Sequence, residues 1–179
     1  MTFGILQGVF IGVGLSILWL VSRSALPHIP ELGRKPGTDA FYDLTQGDDF
    51  ETYPGILVLR FDGGLFFVNA DALGDRLHRI RTESGQQLGA VILSMEGVDF
   101  IDTEGADVLK KLAQADAVRG IDLRLARVKP SVERVLARDG FFDVIGRDHL
   151  HDTIAQAVEA HLTLHPAPPE REPGARSRS

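Results

Sequence analysis

The chain contains no cysteine in its 179 residues. That excludes a disulfide framework, a thiolate zinc site and a cysteine nucleophile. Aromatic residues are sparse, 7% of the chain with one tryptophan and two tyrosines. Positive charge is short as well. Nineteen Lys and Arg against 25 Asp and Glu leave a net charge of −6. General nucleic-acid binding needs the opposite sign to displace counterions, so no nucleic-acid partner is expected. No Ser–His–Asp order, paired-carboxylate motif, Gly-x-Gly-x-x-Gly or phosphate loop stands in a convincing context. No catalytic residue and no cofactor is therefore assigned. There is no Gly-X-Y period, and a hydrophobic content of 44% is too high for a wholly disordered chain. The length fits one globular domain plus short attachments. A mean hydropathy of +0.00 averages over very unequal parts.

The first part is apolar. Phe3 to Val21 reads FGILQGVFIGVGLSILWLV, with no formal charge and only Gln7 and Ser16 polar. A helix of that length spans roughly 28 Å, near the hydrocarbon thickness of a bilayer. Gly8-x-x-x-Gly12 is a small-xxx-small pair of the kind that lets membrane helices approach closely. Trp19 lies near the end, where interfacial aromatics concentrate. A signal peptide needs a basic segment before a shorter apolar core, and no Lys or Arg precedes this run. One transmembrane helix over residues 1–22 is expected. Arg23, Arg34 and Lys35 follow it, so the positive-inside rule puts the C-terminal side in the cytoplasm. The expectation is a single pass through the inner (plasma) membrane.

Residues 23–52 carry Pro27, Pro30, Pro36, Gly33, Gly37 and Gly47, and hold no helix or strand period for long. They read as an extended linker. Residues 165–179 are rich in Pro, Arg, Ser and Glu and read as a disordered tail.

Residues 53–164 read as an α/β domain. Gly55–Phe61 is β-rich, and Asp62-Gly63-Gly64 is a turn signal before Leu65–Ala70. The two runs read as an antiparallel hairpin. Asp71–Thr82 has apolar residues at Leu73, Leu77 and Ile80, a helical stripe. Gly89–Met95 is a continuous apolar run, as in a strand buried on both faces. Glu104–Arg119 is helical by spacing, and Ile121–Val128 alternates as a half-buried strand. Pro130 opens a helix that Gly140 ends. A short Phe142–Ile145 segment precedes a last helix from Thr153 to about Leu162. The alternation implies a small mixed β-sheet with helices packed against it.

Three pieces carry a resemblance. They are the uncharged helix running into Arg23, Pro27-His28-Ile29 and Leu32-Gly33-Arg34; Pro54–Phe61 with Leu65–Ala70; and Val98-Asp99-Phe100-Ile101-Asp102-Thr103-Glu104-Gly105 followed by Leu109. In this order they resemble the carboxyl end of a SulP-type (sulfate permease) anion transporter: its last transmembrane helix and its cytoplasmic STAS domain. The resemblance covers roughly residues 4–164. It implies a STAS-like fold that acts without catalysis, in interaction, dimerisation or regulation of transport. Its implied partners are the membrane, the remaining transporter helices if the gene is split, and a second copy or a cytoplasmic protein. The chain is expected to be either a transporter fragment or a free-standing tethered module.

The interaction loop is expected at Asp102, Thr103, Glu104 and Gly105, between strand and helix. Anti-sigma-factor antagonists share the fold, and the resemblance to them implies a phosphorylated Ser where this chain has Glu104. A signalling switch of that type is the alternative reading. Asp102 or Thr103 is expected to cap the helix, and Thr103 and Gly105 are candidate contacts for an anion or nucleotide. Leu65–Ala70 is read as core and edge packing. Arg124, Arg127, Lys129 and Arg134, with Arg119 and Arg138, form a candidate basic surface for anionic headgroups or an acidic partner. The run Asp148-His149-Leu150-His151-Asp152 has metal-ligand chemistry but no third partner by spacing, so no metal is assigned.

Overall fold

The computed structural model describes residues 3–24, 27–47, 49–67, 69–84 and 87–166. Most of the expected disordered tail, from residue 167 on, and Val68 lie outside the described residues. Helix α1 (Phe3–Ser24) is 22 residues long. Its described side chains, at Gly4 and residues 6–19, are all exposed, with Phe10, Leu18 and Trp19 among them. Among the described residues no helix is long and apolar enough to cross a membrane.

The expected linker is not featureless. Leu32–Arg34 (β1) and Phe41–Asp43 (β2) pair antiparallel. The segment before them runs antiparallel along the sheet edge: Arg60 N–H donates to the Pro30 carbonyl at 3.1 Å and Asp62 N–H to that of His28 at 3.0 Å. Ile29 and Leu32 are buried in the two cores. The expectation of an extended connector up to residue 52 is thus corrected. Burial of two apolar side chains against the edge strand outweighs the local preference of a Pro- and Gly-rich stretch for irregular structure.

The main sheet has four parallel strands in the order β3 (Ile56–Arg60), β4 (Ala90–Ser94), β5 (Asp122–Ala126) and β6 (Leu150–His151). Strand β3 pairs with β4 at Ile56↔Ala90, and β4 with β5 at Ala90↔Asp122. Parallel neighbours need crossover connections, supplied here by α2 (Ala70–Ser84), α3 (Thr103–Val118), and α4 (Pro130–Arg138) with α5 (Phe142–Ile145), while α6 (Ile154–Leu164) follows the last strand. The period of two sorts each strand between faces. Leu57, Leu59, Val91, Leu93, Leu123 and Leu125 face α2–α5. Ile56, Val58, Ala90, Ile92 and Ala126 face α6 and Leu32.

The expected hairpin does not form. Leu65 makes one parallel bridge to Ile101, and Phe67 and Asn69 lie in a turn before α2. The cause is Asn69. Its Oδ1 accepts from Phe66 N–H at 3.0 Å and its Nδ2 donates to the Gly64 carbonyl at 2.9 Å. That local ring of bonds competes with a strand ladder and wins. The antiparallel partner of β3 is instead residues 28–31.

Strand β5 also departs from expectation. Its alternation is real, but α6 covers the face that was expected to be wet. Arg124 is 2% exposed. It is no part of a basic surface.

Candidate functional site

The site sits where the chain leaves the C-terminal ends of β3 and β4. Asp102 is the N-cap of α3, in extended conformation, and its Oδ1 accepts from Gly105 N–H at 2.7 Å. Its Oδ2 accepts from Phe67 N–H at 3.3 Å. One carboxylate thus joins the helix start to the turn at Phe67. Capping fully accounts for Asp102. We expect Asp102→Ala to cost about 1 kcal/mol, read as a lower midpoint in urea unfolding, since a lost cap costs about 0.5–2 kcal/mol.

Gly105 is buried, and a Cβ there would lie 2.5 Å from the Leu65 carbonyl oxygen. No larger residue fits without moving the backbone. Its N–H is already taken by Asp102, which corrects the expectation that it is free to hold an anion. Thr103 and Glu104 are exposed. Arg138 Nη2 donates to Thr103 Oγ1 at 3.4 Å, and Arg138 Nε to Asp139 Oδ1 at 2.8 Å. Arg138 holds the Asp139 carboxyl below its ordinary range. Glu104 stands in the first turn of α3, where the helix dipole stabilises negative charge. Asp102 and Glu104 together give this helix end an acidic character.

Beside the loop lies a feature unforeseen from sequence. Phe67 is 70% and Phe100 54% exposed. Phe66 stacks on Phe100 at 5.5 Å and meets Phe67 edge-on at 6.3 Å. These rings are outside the core, which corrects the reading of Leu65–Ala70 as packing throughout. Two adjacent phenylalanines followed by an Asx-type turn would have signalled it, because a turn cannot bury both rings. Exposed aromatics next to a fixed loop are the composition of interface hot spots.

Of the remaining basic residues, Arg127 and Lys129 have carboxylate partners, while Arg134 and Arg119 bond to backbone carbonyls. Arg127 pairs with Glu96 at 2.9 Å and Lys129 with Asp99 at 2.5 Å. Arg134 Nε donates to the Pro130 carbonyl at 3.2 Å, and Arg119 Nη1 to that of Ala115 at 3.1 Å. Arg127 holds a left-handed backbone at φ 57.

A second charged cluster lies at the opposite, N-terminal end of the strands. Asp122 Oδ2 accepts from Arg124 Nε at 2.7 Å and from His161 Nδ1 at 2.8 Å, and Asp122 Oδ1 lies 2.9 Å from His149 Nε2. Burial alone would raise the Asp122 carboxyl. The bonds from His149, His161 and Arg124 outweigh it and hold the group far below its ordinary range. The Asp122 bond in turn raises His149. Burial, then Arg124, lowers His151, whose Nε2 is 3.1 Å from Arg124 Nη1. The two histidines of the Asp-His-x-His-Asp run therefore face different partners. Thr153, not Asp152, caps α6.

A parallel sheet covered on both faces, with a capped acidic helix end beside exposed aromatic rings, makes this an α/β module. A family model for the STAS domain matches residues 49–157, and the chain belongs to that family. Sulfate transporter 4.1, chloroplastic, of Arabidopsis thaliana is 33% identical over 169 residues, covering 89% of this chain and 25% of the transporter. The chain thus spans about a quarter of the length of the curated relatives it matches. The murine Solute Carrier 26 family member A9 anion transporter, solved inward-facing, superposes with a TM-score of 0.78 at 23% identity, covering 88% of this chain and 26% of that one. The SulP transporter STAS domain of Vibrio cholerae superposes at 0.55 with 21% identity, covering 68% of this chain and 91% of that one.

Proposed function

We propose that this chain is a membrane-tethered STAS module, the C-terminal portion of a sulfate or related anion transporter. It acts without catalysis, in cytoplasmic interaction, dimerisation or regulation of transport. The observation that carries the reading is the reach of the sequence match. It covers 89% of the chain in a sulfate transporter, well beyond the domain at 49–157. The uncharged run Phe3–Val21 supports the tether. The described apolar side chains of α1 are all exposed, as lipid-facing residues are. In the full run, rather than the described side chains alone, the length suits a bilayer. Arg23, Arg34 and Lys35 favour the cytoplasmic side for the domain.

The surface that engages a partner, in this reading, is the loop Asp102–Gly105 with Phe66, Phe67 and Phe100. Fractionation of cells making the full chain tests the tether. The chain is expected in the membrane pellet after high-salt and carbonate washes. Recovery in the lipid-free supernatant overturns it. Glu104, which carries no phosphoacceptor, weighs against the anti-sigma-antagonist reading; kinase-dependent phosphate on Thr103 would favour it.

A further inference from the structure

Neither the interaction loop nor the Asp122 cluster uses the groove between α6 and the β1–β2 ribbon. Two cavities of about 490 and 390 Å³ meet there at Asp39, Ala155 and Glu159. Phe41, Tyr42 and Tyr53 line one side, and Ile154, Val158 and Leu162 of α6 line the other. Phe41, Tyr53 and Leu162 pack on the second core but are only partly buried, so the groove has an open apolar floor. Arg34 Nη1 donates to the Tyr53 hydroxyl at 3.1 Å, which holds that ring in place. Two carboxylates, Asp39 and Glu159, stand exposed where the cavities join. The groove opens at Leu162 and Thr163, in the last turn of α6, and the described chain ends three residues on, at Pro166. The residues that follow begin Ala167-Pro168-Pro169-Glu170-Arg171.

We propose that residues 167–173 turn back into this groove and lie along α6. A proline-rich segment favours the extended polyproline helix, and aromatic-lined grooves recognise that helix because little conformational entropy is lost on docking. The reach is sufficient. From Leu164 back to Thr153 the helix spans about 17 Å. At about 3.1 Å per residue, residues 167–173 span about 22 Å. Pro168 and Pro169 then meet Tyr53 and Leu162 at the near end of the groove. Arg171 follows at about 16 Å of chain from Pro166 and comes between Asp39 and Glu159. An exposed ion pair contributes little, so the proline–aromatic contact carries the docking and the arginine sets its register. The segment covers an apolar floor that the rest of the domain leaves open.

The test uses the full chain in detergent micelles, where the lack of native cysteine lets one engineered thiol be read alone. Ala155→Cys places that thiol on the groove wall with little change in size. Its alkylation by N-ethylmaleimide is expected to run about fivefold faster once Pro168→Gly, Pro169→Gly and Arg171→Gly are added together, since labelling tracks the open fraction. These three changes lie beyond α6, and an unchanged urea midpoint checks that the fold is intact. His78→Cys, on the exposed face of α2, should react at one rate with and without them. Equal rates at Ala155→Cys with either tail overturn the proposal. An equal acceleration at His78→Cys overturns it too, as that marks general loosening. So does protection that fades on dilution, which would put the tail of a second copy in the groove.

Discussion

Replacing Asp122 by alanine should destabilise the domain by about 3–5 kcal/mol, the usual cost of stripping one partner from a buried ion pair. The reason is what remains. Arg124 is 2% exposed and packed beneath α6, and its Nε loses the carboxylate 2.7 Å away. The buried His161 loses its acceptor at 2.8 Å and His149 its partner at 2.9 Å. A guanidinium stranded in the core has no water to turn to. The loss exceeds that expected for the Asp102 cap, where only backbone donors at a partly wet helix end are orphaned. Urea unfolding measures it, as a lower midpoint at unchanged slope. Arg124→Leu in the Asp122→Ala background should recover most of the loss, since Arg124 is 2% exposed and stands in register with Ile92, which is buried in the core on the α6 side of the sheet. A wild-type midpoint for Asp122→Ala alone would show that solvent reaches Arg124 freely.

The same cluster shows where the reading of sequence stops. Alternation in β5 is visible in Ile121–Val128, and the inward positions Leu123 and Leu125 follow from it. Period alone cannot say whether the other face meets water or a helix. Here α6 covers it, and Arg124 is buried because Asp122, partly buried beside it, satisfies its charge. Helices α2, α3, α4 and α6 are legible because spacing, caps and stops agree: Pro130 at the first turn, Gly140 at φ 74 after α4, and Asp102 before α3. What escapes is tertiary. The β1–β2 ribbon is three residues per strand and exists because Ile29 and Leu32 find cores.

The interaction loop was legible in position and only partly in chemistry. Asp102–Gly105 shows as a strand-to-helix junction from residue types alone. That Asp102 also ties down Phe67 could not be seen, because Phe67 lies 35 residues away. The exposed ring cluster depends on that tie and on the Asn69 turn. A reading that paired Leu65–Ala70 as a strand necessarily turned one phenylalanine inward.

A buried pair between α2 and α3 supplies the other large effect, with an unusual sign in pH. Arg81 Nη2 donates to Asp116 Oδ1 at 2.6 Å, and the Asp116 side chain is fully buried. Asp116 Oδ2 and Arg81 Nε are buried with no hydrogen-bond partner. Burial pushes the Asp116 carboxyl above its ordinary range even against the pull of Arg81. Arg81→Ala removes that pull and leaves an uncompensated buried carboxylate, so a loss of about 3 kcal/mol at neutral pH is expected. A carboxyl raised on folding takes up its proton more readily in the folded state than in the unfolded one. Folding is therefore favoured as pH falls toward and through the raised value, and disfavoured as pH rises past it. Arg81→Ala raises the value further, so its deficit against wild type should shrink as pH is lowered from about 7 toward about 5, above the ordinary carboxylate range. Urea midpoints of the two proteins at several pH values measure this. The double variant Arg81→Ala/Asp116→Asn carries no buried charge at this site and should show no such dependence. A deficit that stays constant across the series would mean that Asp116 keeps its charge without Arg81, and that water or Arg119 reaches it instead.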